Sequence, residues 1–221
     1  QQNNIEVHKL KFQFKDYVVW HQEQQRSANE SNLKFWKTYL EGHTWKNSIP
    51  FDADDYEEKH TGTDHDFVFD SLTFSELNEF TQQQNISLHT LLVGTFSLLL
   101  HKMYGEEDFC IGTVNSGRTH SELHNQLGMF AKTLPLRNRI NSENSLSELL
   151  KETHQNLLQI DEHQDLPEVL QNKLRLDVLL VLQNPSFSYT NIVINEKLQL
   201  EIAPMSTSYS RLPMLINFVV N

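Results

Sequence analysis

A mixed α/β sheet with helices packed on one face is the fold class this sequence predicts, and three observations carry it. Segments of helical periodicity alternate with short apolar runs through the middle of the chain, which then ends on successive strand-like runs. Hydrophobic residues make up 38% of 221 residues, enough to fill a buried core. One helical stretch carries Leu88, Leu91, Leu92, Phe96, Leu99, Leu100 and Met103 over most of its surface, so it must be covered from several sides.

The elements follow in order. Asp16 to Gln25 and Asn32 to Leu40 read as two helices, the second rich in aromatic residues and stopped by Gly42. Residues 1–50 are thus a helical leading segment. Residues 51–65, with Asp52, Asp54, Asp55, Glu57 and Glu58, read as an acidic linker. Residues 66–221 form the main body. There Asp66 to Asp70 is a short strand, and Thr73 with Glu76 offers a reciprocal cap to a helix reaching about Gln84. Ser87 caps the apolar helix and Gly105 ends it. Phe109 to Val114 and Thr133 to Arg137 are strands; between them and the next strand, Ser145 and Glu148 cap a helix reaching about Asp161. Leu176 to Leu182, Leu198 to Ala203 and Met214 to Val220 complete the strands. The chain stops on the last of these without a closing helix, so the body reads as truncated at its C-terminal end.

Charge and composition exclude several functions. Eighteen basic residues against 29 acidic ones leave a net charge of -11, whose field repels nucleic acid and anionic membranes. The single cysteine, Cys110, sits between Phe109 and Ile111 and reads as a core residue; no intramolecular disulfide or thiolate cluster is possible, and a reducing, cytoplasmic setting is expected. The longest apolar stretch, Leu91 to Leu100, is far short of the roughly 20 residues that span a bilayer.

Four stretches carry a family resemblance. Phe14-Lys-Asp-Tyr-Val-Val-Trp20 is similar to a Tyr-x-Asp-Phe/Tyr-Ala-x-Trp segment, and the run from Tyr104 through Glu107-Asp108 to Gly117-Arg118 matches GxEDxxxGxxxxGR. Leu127-Gly-Met-Phe-Ala-Lys-Thr-Leu-Pro-Leu-Arg137 matches IGxFVNTLxxR, with Ala131 for Val and Lys132 for Asn. His163-Gln-Asp-Leu-Pro167 is like HQDxPFE, with Glu168 where Phe is expected, and is followed by Val181-Leu-Gln-Asn184. In this order and spacing, over residues 14–184, the chain resembles the condensation domain of nonribosomal peptide synthetases.

The resemblance implies half of a chloramphenicol acetyltransferase-like pseudo-dimer. It implies a tunnel between the halves, which admits phosphopantetheine arms from carrier domains, and attack of an acceptor amine on a donor thioester. The implied partners are the N-terminal half of the same domain and the peptidyl carrier and adenylation domains; no cofactor is expected on the chain itself. The family's His-His-x-x-x-Asp-Gly motif places an imidazole at the amine, a role suited to a group titrating near neutrality. No His-His pair occurs in the 221 residues, so no catalytic residue is assigned and the chain alone is expected to be inactive. His60-Thr-Gly-Thr-Asp64 has the His-to-Asp interval but neither the preceding His nor the following Gly. The family's Arg-Asp-x-Ser-Arg-Asn-Pro-Leu segment is shortened or missing: Leu174-Arg-Leu-Asp-Val178 runs directly into a strand. A carrier-docking module without catalysis, and an epimerisation or ester-forming relative, are the alternatives.

The site candidates are polar residues at strand ends and turns. Asn115, Thr133 and Asn184 lie where polar groups of α/β proteins face a crevice, and His163 and Asp165 share a turn; these five are the tunnel candidates. Arg118 and Arg137 could fork onto a pantetheine phosphate or the missing half, or else cap local carbonyls. His120, Glu122 and His124 lack a third ligand at a recognised spacing, so no metal site is assigned.

Overall fold

The computed structural model describes residues 10–43, 49, 61–171, 174–183, 192–195, 198–200, 209–210 and 212–220. Four strands form the main sheet, β1 (Asp108–Asn115), β2 (Lys132–Arg139), β3 (Val178–Gln183) and β6 (Met214–Val219), in the order β2-β1-β3-β6. β1 and β2 are antiparallel from Asp108↔Arg139 to Asn115↔Lys132, while β1–β3 and β3–β6 are parallel, so the sheet is mixed. A separate antiparallel pair joins β4 (Ile192–Asn195) to β5 (Leu198–Leu200). Residues 201–203 of the run read as a strand lie outside the described residues.

Alternation along β1 and β2 decides what covers the sheet. Ile111 pairs with Leu136 and Thr113 with Leu134, which puts these residues and Asn138 on one face. There α3 (Leu88–Tyr104) and α4 (Leu146–Glu162) pack. Asn138, 1% exposed, donates to Ser97 Oγ at 2.7 Å, and Ser97 Oγ donates to the Val93 carbonyl at 2.9 Å, so the polar groups buried with the leucines are hydrogen-bonded. The two helices approach closely because α3 has Gly94 at the crossing, where a Cβ would lie 2.6 Å from Leu150 Cδ2.

The helix caps show which local signals held. Ser87 accepts from Thr90 N, Gly105 closes α3 at φ +73°, and Ser145 with Glu148 forms a reciprocal capping box on α4. The helix α2 (Ser71–Gln84) starts earlier than Thr73 because the Asp70 carboxylate accepts from Thr73 N at 2.7 Å.

Two expectations are corrected. The two N-terminal helices are one, α1 (Phe14–Tyr39), anchored by packing at both ends. Asp66 to Asp70 is not a strand: no ladder partner faces it among the described residues. Trp36 and Leu40 at the end of α1 join the core of Phe109, Ile111, Leu134 and Leu136. The Tyr39 hydroxyl accepts from Arg137 N at 2.9 Å and donates to Arg137 O at 3.3 Å, which occupies both backbone groups on the outer edge of β2. No single helix among the described residues is long and apolar enough to cross a membrane.

Candidate functional site

The loop after β1 is shaped by its own sequence. Asn115 Oδ1 accepts from Gly117 N at 2.6 Å and its amide donates to Asp161, which ties the end of β1 to α4. Gly117 has φ +67°, and a Cβ there would overlap the Phe130 carbonyl. Arg118 then lies over the Phe130 ring, 4.3 Å from its centroid, and donates to the Leu123 carbonyl. The guanidinium is spent on holding this loop.

Against the loop packs the start of α1. Phe14 and Tyr17 meet Phe130 edge-on at 4.9 and 4.8 Å, and Tyr17 stacks on His21, one helical turn later, at 5.3 Å. His21 Nε2 lies 2.7 Å from Asp165 Oδ1, and Lys132 Nζ lies 2.5 Å from the same oxygen. The three side chains are 19, 27 and 20% exposed in the order His21, Asp165, Lys132. Burial pushes the Asp165 carboxyl up, but its bonds to Lys132 and His21 outweigh burial and hold it below the usual carboxylate range. Burial and the charge of Asp165 push the Tyr17 phenol up.

His163 and Asp165 take different partners. His163 Nδ1 meets Asn32 Oδ1 at 2.9 Å, its ring stacks on Phe35 at 4.0 Å, and its carbonyl accepts from Trp36 Nε1 at 2.8 Å. Two residues apart in one turn, they therefore grip α1 at His21 and at Asn32, about 16 Å apart along the helix axis. Thr133 is exposed beside Lys132 at the start of β2, and Asn184 lies outside the described residues. Arg137 is 5% exposed and far from this cluster in role: it forks onto Asp108 at 2.8 and 2.6 Å and donates to the Tyr39 and Glu41 carbonyls.

A cleft of about 520 Å³ opens beside the cluster, lined by Phe12, Tyr17, Trp20 and Leu123 together with the charged Lys11, Asp16 and Glu122. Sequence reasoning missed His21 and the role of Lys132. The available signals were the i, i+4 spacing of Tyr17 and His21 on one helix face and the charged residue at the Asn position of the third stretch.

All four resembling stretches now meet in one chain of contacts: Arg118 on Phe130, Phe130 on Tyr17, Tyr17 on His21, and His21 and Lys132 on Asp165. The condensation-domain family model matches residues 1–213. The chain belongs to the condensation-domain family. Among relatives, gramicidin S synthase 2 of Brevibacillus brevis is 33% identical over 219 residues, covering 93% of this chain and 5% of that protein. Tyrocidine synthase 2 of Brevibacillus parabrevis is 30% identical over 196 residues, covering 81% and 5%. The chain thus spans under a tenth of the length of either synthetase.

Solved condensation-domain structures share the fold. The condensation domain from Monacolin K polyketide synthase superposes with a TM-score of 0.69 at 17% identity, over 97% of this chain and 54% of that one. A four-domain nonribosomal peptide synthetase gives 0.75 at 21%, over 88% and 17%. The X-domain from teicoplanin biosynthesis gives 0.66 at 21%, over 80% and 43%.

Proposed function

We propose that this chain is the C-terminal half of an amide-forming condensation domain in a nonribosomal peptide synthetase. Residues 66–221 are the subdomain proper, 51–65 its connector and 1–50 the segment that leads in from the other half. The observation that carries the reading is the convergence of the four resembling stretches on the His21–Asp165–Lys132 cluster beside an aromatic cleft.

In the reaction, the acceptor amine attacks the donor thioester carbonyl; a C–N bond forms, the C–S bond breaks, and the amine's proton leaves with the pantetheine thiol. The imidazole that serves the amine is assigned to the other half. This half supplies a channel wall, with Asn115, Thr133, His163 and Asp165 as lining or positioning residues, and part of the surface on which carrier domains dock. Arg118 serves that wall by fixing its loop, and Arg137 by fixing the sheet edge. Phosphopantetheine arrives on the carrier domains and is not bound as a resident cofactor.

The test compares this chain with the intact domain, using donor and acceptor thioesters on carrier proteins. The intact domain is expected to form the amide and the chain alone to give only background. Turnover by the chain alone near the rate of the intact domain would reject the division of labour.

A further inference from the structure

The first turns of α1 and the turn after Arg118 border the cleft of about 520 Å³, a volume within the range of roughly 300–1,000 Å³ that small-molecule sites occupy. Asp16, Tyr17 and Trp20 reach it from one side of α1, because Asp16 and Trp20 are four residues apart and Tyr17 lies beside Asp16. Phe12 borders it ahead of the helix, and His120, Glu122 and Leu123 border it from the turn after Arg118. The Tyr17 and Trp20 rings lie 5.9 Å apart with a tilt of 42°, and the His120 ring meets Trp20 edge-on at 5.4 Å.

The polar groups of the cleft match a cationic donor. Tyr17 is only 9% exposed, yet its hydroxyl has no hydrogen-bond partner among the described residues, where a buried phenol ordinarily finds one. Asp16 accepts from Gln13 N at 2.8 Å and Glu122 from Ser121 Oγ at 3.2 Å, and neither carboxylate is in an ion pair among the described residues. Lys11 and His120 act on Glu122 from a greater distance. Two carboxylates against one lysine, on a chain of net charge -11, give the cleft a negative potential that draws cations and turns away anions. The walls specify the rest of the ligand. Phe12, Tyr17 and Trp20, with Leu123, offer apolar and π surface on which a flat ring and a cation are both favoured.

We infer that this cleft binds a small aromatic ammonium ion, its ring against Phe12, Tyr17 and Trp20 and its N–H groups on the Tyr17 hydroxyl and the carboxylates of Asp16 and Glu122. Such a ligand supplies the partner that the phenol lacks and the counter-charge that the carboxylates lack. Binding of this kind is independent of which bond the parent domain forms.

Titration calorimetry of this chain and of the intact domain with 2-phenylethylamine, a cation, and phenylacetate, a comparable anion, tests it. The amine is expected to bind both proteins with a Kd of about 1 mM or below, and phenylacetate about tenfold more weakly or worse. Tyr17→Phe keeps the ring and removes the hydroxyl, so it should weaken amine binding about threefold or more while leaving Tm unchanged. Glu122→Gln should weaken the amine and Lys11→Gln should tighten it, each by about twofold or more. Equal binding of the two probes, unchanged affinity in Tyr17→Phe, or equal binding of butylamine, which has no ring, overturns the inference. So does amine binding to the chain but not to the intact domain, or self-association of the chain that excludes the amine, since either gives the cleft to protein. Amide formation by the intact domain is measured alongside. An active domain that does not bind the amine rejects this site alone, and an inactive one that binds it rejects the catalytic assignment alone.

Discussion

His21 and Lys132, 111 residues apart in sequence, meet on one carboxylate oxygen, Oδ1 of Asp165. One bond comes from α1 and the other from the first residue of β2, so this oxygen locks the start of α1 to the sheet. Asp165→Ala leaves the Lys132 ammonium largely buried without its counter-charge. A loss of about 1–3 kcal/mol is expected, read by urea denaturation, with non-additivity against Lys132→Asn in a double-mutant cycle. The folded carboxyl titrates below its unfolded value of about 3.9, so the contribution is complete above that value and is lost as pH falls through the lower folded one. Wild type and Asp165→Asn should converge in stability at low pH; a constant gap down to the acid limit would contradict this.

His89 gives the neutral-range counterpart. Its Nε2 meets Thr113 Oγ1 at 3.1 Å, and burial lowers its pKa below the usual imidazole value. The unfolded chain therefore binds the proton first. Stability is complete above about pH 6.5 and declines as pH falls from there toward the folded value. His89→Gln should flatten the Tm profile between pH 7 and 5, and an unchanged profile would remove His89 from the account.

Arg137 is predicted to be intolerant of lysine. A point charge cannot reproduce a fork on Asp108 together with two carbonyl contacts, so Arg137→Lys should cost about 1–3 kcal/mol, and Arg137→Ala more. Thermal unfolding of the two variants checks the ranking.

Gly117→Ala should cost more than about 2 kcal/mol, because the new methyl requires an unfavourable φ and meets the Phe130 carbonyl. The damage should be local at first, seen as faster amide exchange over residues 116–131 than in α4.

Cys110 is 2% exposed, and burial pushes its thiol up to about 12. Alkylation at pH 8 should therefore track global unfolding and slow when the fold is stabilised. Rapid labelling of the native chain would contradict this.

These residues also show what sequence could and could not reveal. Ser87, Gly105 and Ser145 were legible because a cap is decided within one turn of chain. The central strands were legible because both read as nearly unbroken apolar runs, β1 buried on both faces and β3 buried on one and half-buried on the other. The continuity of α1 was not, since it is fixed by Tyr17 packing on Phe130 and Trp36 bonding to the turn at His163, contacts more than 100 residues away. Asp165 was singled out by its motif, but its partners His21 and Lys132 depend on how three distant segments meet, and no local pattern encodes that. The run at Phe67 illustrates the reverse case: its pattern is that of a strand, while the partner needed to make it one is absent from the described residues.

The phenol of Tyr39 fills both hydrogen-bonding positions of Arg137 at the margin of β2, so an incoming polypeptide finds no template at that residue. Enlargement of the sheet by added strands is therefore favoured on the β6 side, which gives assembly a direction. The hydroxyl shares this work with Asn156, whose Nδ2 donates to the same Arg137 carbonyl at 3.1 Å, so the stopper has two parts and Tyr39→Phe would remove only one of them.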